Sequence, residues 1–171
     1  MKISVTSSLV IGAPAARVWS ILADEFETVA QWASTIPVST HNPLAVHVPK
    51  GASTGGRSCT VPGFGVTDER FTRFDADRRA LTYSVTSTKM PGFVSQVHNS
   101  WQVDDFGDGR CTVTSTVEAV ASGLLGLLAA PMLRIQFART IRPVLADLSA
   151  YAETGRVSAR KERLLSRQAA R

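Results

Sequence analysis

The sequence predicts an α+β fold in which a curved antiparallel sheet of about seven strands packs on one long C-terminal helix. Apolar and polar residues alternate through residues 66–75, 81–86, 97–103 and 111–117, which is the pattern of strands with one buried face. After residue 124 the period changes, and apolar residues recur every three or four positions, as on one face of a helix. The members of that stripe are Leu133, Phe137, Ile141, Val144, Leu148 and Tyr151.

The N-terminal segment supplies one strand and two short helices. Residues 3–11 alternate as a strand. Pro14 favours a helix over residues 14–23, because the N–H that proline lacks has no intrahelical partner in the first turn. A second short helix is expected over residues 25–33, which carry three large apolar side chains.

Six further strands and the long helix complete the order. A strand over residues 36–41 is followed by a Pro/Gly-rich loop and a strand over residues 56–61. The long helix is expected over residues 132–153, which at about 1.5 Å per residue is long enough to cross a small sheet. Pro131 and Pro143 either start and kink this helix or mark a hinge.

Two connections between strands are apolar. Residues 62–65 form a tight turn whose glycines permit positive φ, and residues 87–93 form a second connection. Phe64, Met90 and Phe93 lie in these connections. Two interpretations stay open, because the three side chains can either gate a cavity or anchor the ends of the loops to the core.

The net positive charge of the chain comes from its C-terminus. The net charge is +5, and residues 156–171 hold six of the 19 basic residues and one of the 14 acidic ones, so residues 1–155 are balanced. We therefore expect a folded ligand-binding domain over residues 1–155 and a basic tail over residues 156–171. The tail is expected to be a solvated extension, with weak contact to an anionic membrane as the alternative. No aromatic residue is interleaved with its charges, which argues against specific nucleic-acid binding.

The two cysteines indicate no disulfide or metal chemistry. Cys59 and Cys111 lie alone on predicted strands, so reduced structural thiols are expected. The N-terminus lacks the apolar core of a signal peptide, which favours a cytoplasmic protein. The most apolar stretch, residues 123–133, is too short to cross a bilayer.

No cofactor or metal site is expected. His41, His47 and His98 do not converge on any spacing that would supply three or four ligands. Residues 51–57 lack the Lys-Ser/Thr ending of a phosphate-binding loop, and no nucleophile elbow is present.

Several local motifs, in this order of elements, carry a resemblance to a known superfamily. They are residues 11–19 at the entry to the first helix, the pattern over residues 69–83, and Gly-Asp-Gly at 107–109 before a strand that ends at Glu118. The pattern resembles the START-like (SRPBCC) superfamily, which includes birch-pollen-allergen-like proteins, polyketide cyclases/dehydrases and lipid-transport domains. Over residues 2–153, the resemblance implies the helix-grip fold, with an internal cavity for an apolar or amphipathic ligand.

The period of the strands predicts which side chains face that cavity. Counting by twos from Phe71 includes Glu69 and Arg73, and counting from Trp101 includes further residues of the same strand. A mainly apolar wall with a few polar groups is typical of a small-molecule site. The residues expected to contact the ligand are Glu69, Phe71, Tyr83, Val97, Asn99, Trp101 and Ser115 on the sheet, and Phe137 and Ile141 on the helix.

Glu69 is the candidate of most chemical interest. Its strand also resembles that of the plant abscisic-acid receptors, which implies a ligand-contacting glutamate at this position. A desolvated carboxylate can act as a general acid or base, with Arg73 and Tyr83 as the other candidates. Three alternatives stay open: Glu69 faces the ligand, pairs with Arg73 or another buried cation, or lies in water because the register differs by one residue.

The leading functional hypothesis is a protein that binds or carries a hydrophobic small molecule, lipid- or polyketide-like, without a cofactor. One alternative is an enzyme of the polyketide cyclase or aromatase type, which would use Glu69, Arg73 or Tyr83 to move protons in the same cavity. Another is a non-catalytic interaction module that acts through its surface or its tail.

Overall fold

One seven-stranded antiparallel sheet, in the order β1-β7-β6-β5-β4-β3-β2, carries the architecture of the protein. The computed structural model describes residues 1–169; Ala170 and Arg171, the end of the expected tail, lie outside the described residues. In chain order the elements are β1 (Lys2–Ile11), α1 (Ala15–Ala23), a 3₁₀ helix (Phe26–Gln31), β2 (Val38–His41), β3 (Gly56–Val61), β4 (Gly65–Asp75), β5 (Ala80–Ser87), β6 (Val94–Asp105), β7 (Cys111–Ala121), α2 (Gly123–Thr154) and α3 (Ala159–Ala169).

The predicted α+β fold is confirmed, and several elements differ in detail. The second helix is a 3₁₀ helix, β2 begins two residues later than expected, and a third helix follows α2. The sheet is open, and its inner face packs on α2 through alternate strand residues. Both cysteines are free and buried, and burial raises the pKa of the Cys59 thiol to about 11.

A β-bulge in β4 corrects the prediction for Arg73. Phe71 pairs with Tyr83, but Arg73 pairs with Thr82, so β4 has one more residue than its partner at this point. The extra residue inverts the alternation of the strand. Phe74 resumes the inward position and Arg73 is exposed, so the expectation that Arg73 faces the interior is wrong.

The long helix α2 begins at Gly123, nine residues earlier than expected, directly after β7. A Cβ on Gly126 would lie 3.1 Å from Ala121, so this close turn between sheet and helix favours glycine there. Pro131 and Pro143 both lie inside the helix, so Pro131 does not start it. The predicted stripe is confirmed, since Leu133, Phe137, Ile141, Val144 and Leu148 are buried and Tyr151 is half-buried.

The C-terminal segment folds back on the domain. Gly155 ends α2 with a left-handed φ of 68°, and α3 follows after three residues. The Lys161 side chain is buried and its Nζ donates to the carbonyl of Ala33 at 3.1 Å. Burial lowers the pKa of Lys161, although Asp147 opposes the shift. The expectation of a solvated extension is therefore wrong for Lys161, while the arginines of α3 are exposed as expected.

Asp147 of α2 joins this segment to the loop after the 3₁₀ helix. Its carboxylate is buried and accepts a hydrogen bond from the Ser34 backbone N–H at 2.7 Å. The Ser158 hydroxyl donates to the other carboxylate oxygen. A single buried acid thus fixes both the loop and the start of α3.

Asp147→Ala should lower the free energy of unfolding by about 3 kcal/mol, because two hydrogen bonds to a charged acceptor are lost and the Ser34 N–H is left buried without a partner. Urea denaturation would measure this change. Asp77→Ala, at an exposed position, is the matched control and should change stability by less than about 0.5 kcal/mol. Equal effects of the two variants would contradict this role of Asp147.

Candidate ligand-binding site

A cavity of about 150 Å³ lies between the sheet and α2. Its wall is mainly apolar and includes Trp32, Trp101, Leu133 and Phe137. The polar side chains on the wall are few: Arg57, Thr67, Glu69, Tyr83, Ser87, Asn99 and Thr140. The best-formed polar cluster among them is contributed by four neighbouring strands, β3 to β6.

Arg57 and Glu69 form a buried ion pair across β3 and β4. The two residues are directly opposite in the register, and Arg57 Nε donates to Glu69 Oε2 at 2.7 Å. Arg57 also donates to the carbonyl of Phe26 at 2.7 Å, and its guanidinium lies 3.9 Å from the centre of the Phe26 ring. Burial alone would lower the pKa of Arg57, but the Glu69 carboxylate, with Cys59 and Tyr83, raises it overall. The cation is therefore fully ionised at neutral pH.

Tyr83 is the centre of a second network, across β5 and β6. Its hydroxyl oxygen accepts hydrogen bonds from Asn99 Nδ2 at 2.9 Å and from Trp101 Nε1 at 3.4 Å, and Arg57 Nη2 lies 3.5 Å away. Asn99 lies directly opposite Tyr83, and the Ser115 hydroxyl holds the Asn99 amide by donating to its Oδ1 at 3.0 Å. All these donors orient the phenol oxygen.

The network leaves the Tyr83 hydroxyl hydrogen available. The phenol oxygen is occupied by N–H donors, and no acceptor for its own hydrogen lies within reach among residues 1–169. Burial raises the pKa of Tyr83 strongly, and the nearby Glu69 charge raises it further. Tyr83 therefore keeps its proton at neutral pH and acts as a hydrogen-bond donor.

Glu69 supplies the complementary acceptor. Its Oε2 is bound by Arg57, whereas its Oε1 accepts no hydrogen bond from the part of the chain that the structure describes. Glu69 lines the cavity together with Tyr83. This end of the cavity thus offers one donor and one acceptor, within a wall that is otherwise mainly apolar.

The structure brings most of the predicted ligand-contacting residues to the cavity. Those on its wall are Glu69, Tyr83, Val97, Asn99, Trp101, Phe137 and Ile141. Phe71 is not on the wall, because it packs between Phe26 and Phe74 at ring distances of 4.4 and 5.4 Å. Ser115 is also not on the wall, since it is fully buried behind Asn99.

The structure also corrects the catalytic candidates. Arg73 lies on the outer face of the sheet, away from Glu69 and Tyr83, so it cannot act in this cavity. Of the alternatives for Glu69, pairing with a buried cation applies, and the cation is Arg57. Sequence reasoning missed Arg57, although the tight turn over residues 62–64 sets a hairpin register that places it opposite Glu69.

Apolar side chains from the two connections also line the cavity. Phe64 and Met90 line it, and Phe64 stacks on Phe137 with ring centroids 6.5 Å apart. Pro91 also lines the cavity and is exposed, so the cavity reaches the surface beside it. Phe93 instead packs against the core and anchors its loop. Phe64 and Met90 thus fit the interpretation that these side chains border the cavity, and Phe93 fits the interpretation that it anchors its loop to the core.

The present volume limits what can bind without movement. A cavity of about 150 Å³ accommodates a molecule of about the size of benzene. Sites for larger ligands are typically about 300–1,000 Å³. A larger ligand would therefore have to displace side chains of the cavity wall.

An open antiparallel sheet on a long C-terminal helix, with a cavity between them, defines the START-like class of helix-grip proteins. The chain belongs to the family of polyketide cyclase/dehydrase and lipid transport proteins, whose model matches residues 2–153. No curated protein matches the chain by sequence.

Solved structures agree on the fold. A START superfamily protein from Mycobacterium smegmatis superposes with a TM-score of 0.70 at 13% identity, covering 90% of this chain and 99% of that one. The ZhuI aromatase/cyclase from Streptomyces sp. R1128 superposes with a TM-score of 0.67 at 17% identity, covering 92% of this chain and 100% of that one. Truncated norcoclaurine synthase from Thalictrum flavum superposes with a TM-score of 0.63 at 15% identity, covering 88% of this chain and 92% of that one.

Within residues 1–169, no group of three His, Cys, Asp or Glu side chains has the geometry of a metal site. The charged and hydrogen-bonding groups on the cavity wall include the Arg57–Glu69 pair and Tyr83. These are the groups that mutation should test first.

Glu69→Gln and Arg57→Met should each lower the free energy of unfolding by about 3 kcal/mol, because each leaves the other charge buried without its partner. The double variant should cost much less than the two singles together, and urea denaturation of all four proteins gives the coupling energy. The exposed pair Lys2–Glu118, at 2.8 Å, is the control and should show a coupling below about 1 kcal/mol. Additive effects at Arg57 and Glu69 would contradict the buried pair.

Proposed function

We propose that the protein binds a hydrophobic small molecule, lipid- or polyketide-like, in the cavity between the sheet and α2, and that it carries or sequesters this molecule. The observation that carries the proposal is a mainly apolar cavity whose wall holds a free donor, the Tyr83 hydroxyl, and a free acceptor, Glu69 Oε1. Apolar area supplies affinity in such sites, and a few polar groups fix the orientation of the ligand.

The polar end favours a particular ligand chemistry. An oxygen of the ligand would accept from Tyr83, and a hydroxyl of the ligand would donate to Glu69. Because the charge of Glu69 is offset by Arg57, a neutral molecule fits this end better than an ion. Phenols, alcohols and hydroxy ketones with an apolar body meet these requirements.

Binding is favoured over catalysis by the state of the polar groups. A general acid or base works best when its pKa lies near the operating pH. The pKa values of Tyr83 and Arg57 are both raised, so neither group gives up a proton readily at neutral pH. Glu69 is held by a hydrogen bond from Arg57 Nε at 2.7 Å, which restricts the movement of its carboxylate.

One observation favours a second candidate, a cyclase or aromatase. Tyr83 and Glu69 lie at the same end of the cavity, so the hydroxyl would polarise a ketone while Glu69 Oε1 takes a proton from the adjacent carbon. Turnover of a poly-β-ketone substrate by the wild type, abolished in Glu69→Gln while binding is retained, would assign this activity. Absence of turnover together with binding of the substrate would leave the carrier.

Phenol and toluene form a matched pair of probes of about the size that the cavity holds. Tyr83→Phe should weaken phenol binding about five- to tenfold, the effect of one hydrogen bond, and should change toluene binding less than about twofold. Titrations followed by NMR chemical shifts of the protein would give both affinities. Equal losses for the two probes would contradict a polar end centred on Tyr83.

Two further variants are controls for the site. Tyr151→Phe removes a tyrosine hydroxyl away from the cavity wall, so neither affinity should change. Val117→Phe fills the cavity from β7 and should abolish binding of both probes while the protein stays folded. Retained binding in Val117→Phe would show that the probes bind elsewhere. Native mass spectrometry of the protein purified from its source would then identify the ligand directly.

A further inference from the structure

The first three turns of α2 expose an apolar face that no other element within residues 1–169 covers. Six large apolar side chains on these turns are exposed: Leu124, Leu125, Leu127, Leu128, Met132 and Ile135. Leu124 and Leu128 are 71% and 69% exposed. Contiguous exposed apolar patches of this kind mark sites of interaction with a protein or a membrane.

The apolar face continues into a basic one. At about 100° per residue, Arg139 and Arg142 lie on the same outward side of the helix as Leu124 and Leu128, one to two turns beyond Ile135. Residues 123–146 contain three arginines and no acidic residue. Such an arrangement suits a bilayer surface. The leucines can be buried among the acyl chains, and the arginines can bind the lipid phosphates.

The face adjoins the open end of the cavity. The Ser122 backbone N–H, two residues before Leu124, donates to the carbonyl of Phe93 at 2.9 Å. Phe93 belongs to the same connection as Pro91, which is exposed and lines the cavity. The only charged residue of that connection is Lys89. The connection beside the opening thus carries one cation and no acidic residue, which suits an anionic bilayer surface.

We propose that this face of α2, Leu124 to Ile135 with Arg139 and Arg142, docks on the surface of an anionic lipid bilayer. By length and composition α2 could also cross a membrane, but its inner face fills the core through Leu133, Phe137 and Ile141. Spanning would require the domain to lose that core, whereas docking leaves it intact. The leucines enter the boundary of the acyl chains and the arginines contact the phosphates.

Flotation with vesicles of phosphatidylcholine containing 30% phosphatidylserine tests this proposal with the full chain and no cavity ligand, so the result is independent of the proposed function. The wild type should bind these vesicles, and binding to pure phosphatidylcholine should be at least tenfold weaker. Leu124→Ser/Leu128→Ser should weaken binding to the anionic vesicles at least tenfold. Arg139→Ser/Arg142→Ser should remove most of the preference for anionic vesicles, and added salt should do the same.

Leu164→Ser/Leu165→Ser is the matched control, because it removes two partly exposed leucines from the basic helix α3. This variant should bind vesicles like the wild type. Loss of binding only in this control would assign the contact to the C-terminal tail and overturn the proposal. A wild type that does not float, or a dimer in light scattering that Leu124→Ser/Leu128→Ser dissociates while vesicle binding is unchanged, would also overturn it. Circular dichroism confirms that each variant is folded.

Discussion

The buried ion pair between Arg57 and Glu69 is the interaction on which the rest of the site depends. Two charges inside an apolar cavity are tolerated only when they are paired and hydrogen-bonded, and the antiparallel register of β3 and β4 places them directly opposite each other. Desolvation of the two charges offsets much of their attraction, so such a pair contributes little net free energy to stability. Its structural effect is to fix Glu69 with one oxygen toward Arg57 and the other unbound.

The register of β5 and β6 fixes the orientation of the Tyr83 side chain. Asn99 lies directly opposite it and Trp101 follows two residues later on the same face, so both N–H donors reach the phenol oxygen. Burial keeps the phenol protonated, because it raises the pKa. The sheet therefore presents a donor and an acceptor on the same cavity wall, and Leu133 and Phe137 of α2 line the cavity from the opposite side.

Periodicity was enough to predict the fold, because each strand buries one face and α2 buries one stripe. The same reasoning placed Glu69, Tyr83 and Trp101 correctly on the cavity wall. It failed for Arg73, since a β-bulge adds a residue that no alternation pattern reveals. It failed for Phe71 as well, because period two predicts the inner face of a strand but not whether a side chain on that face meets other side chains or empty space.

The central claim is that the cavity binds an apolar molecule whose oxygen meets Tyr83 and Glu69. A crystal structure of the protein soaked with phenol tests it most directly, because the position of one oxygen atom decides the outcome. We expect phenol inside the cavity, with its oxygen within hydrogen-bonding distance of both the Tyr83 hydroxyl and Glu69 Oε1. Phenol bound only at the surface, or a cavity closed by side chains, would contradict it.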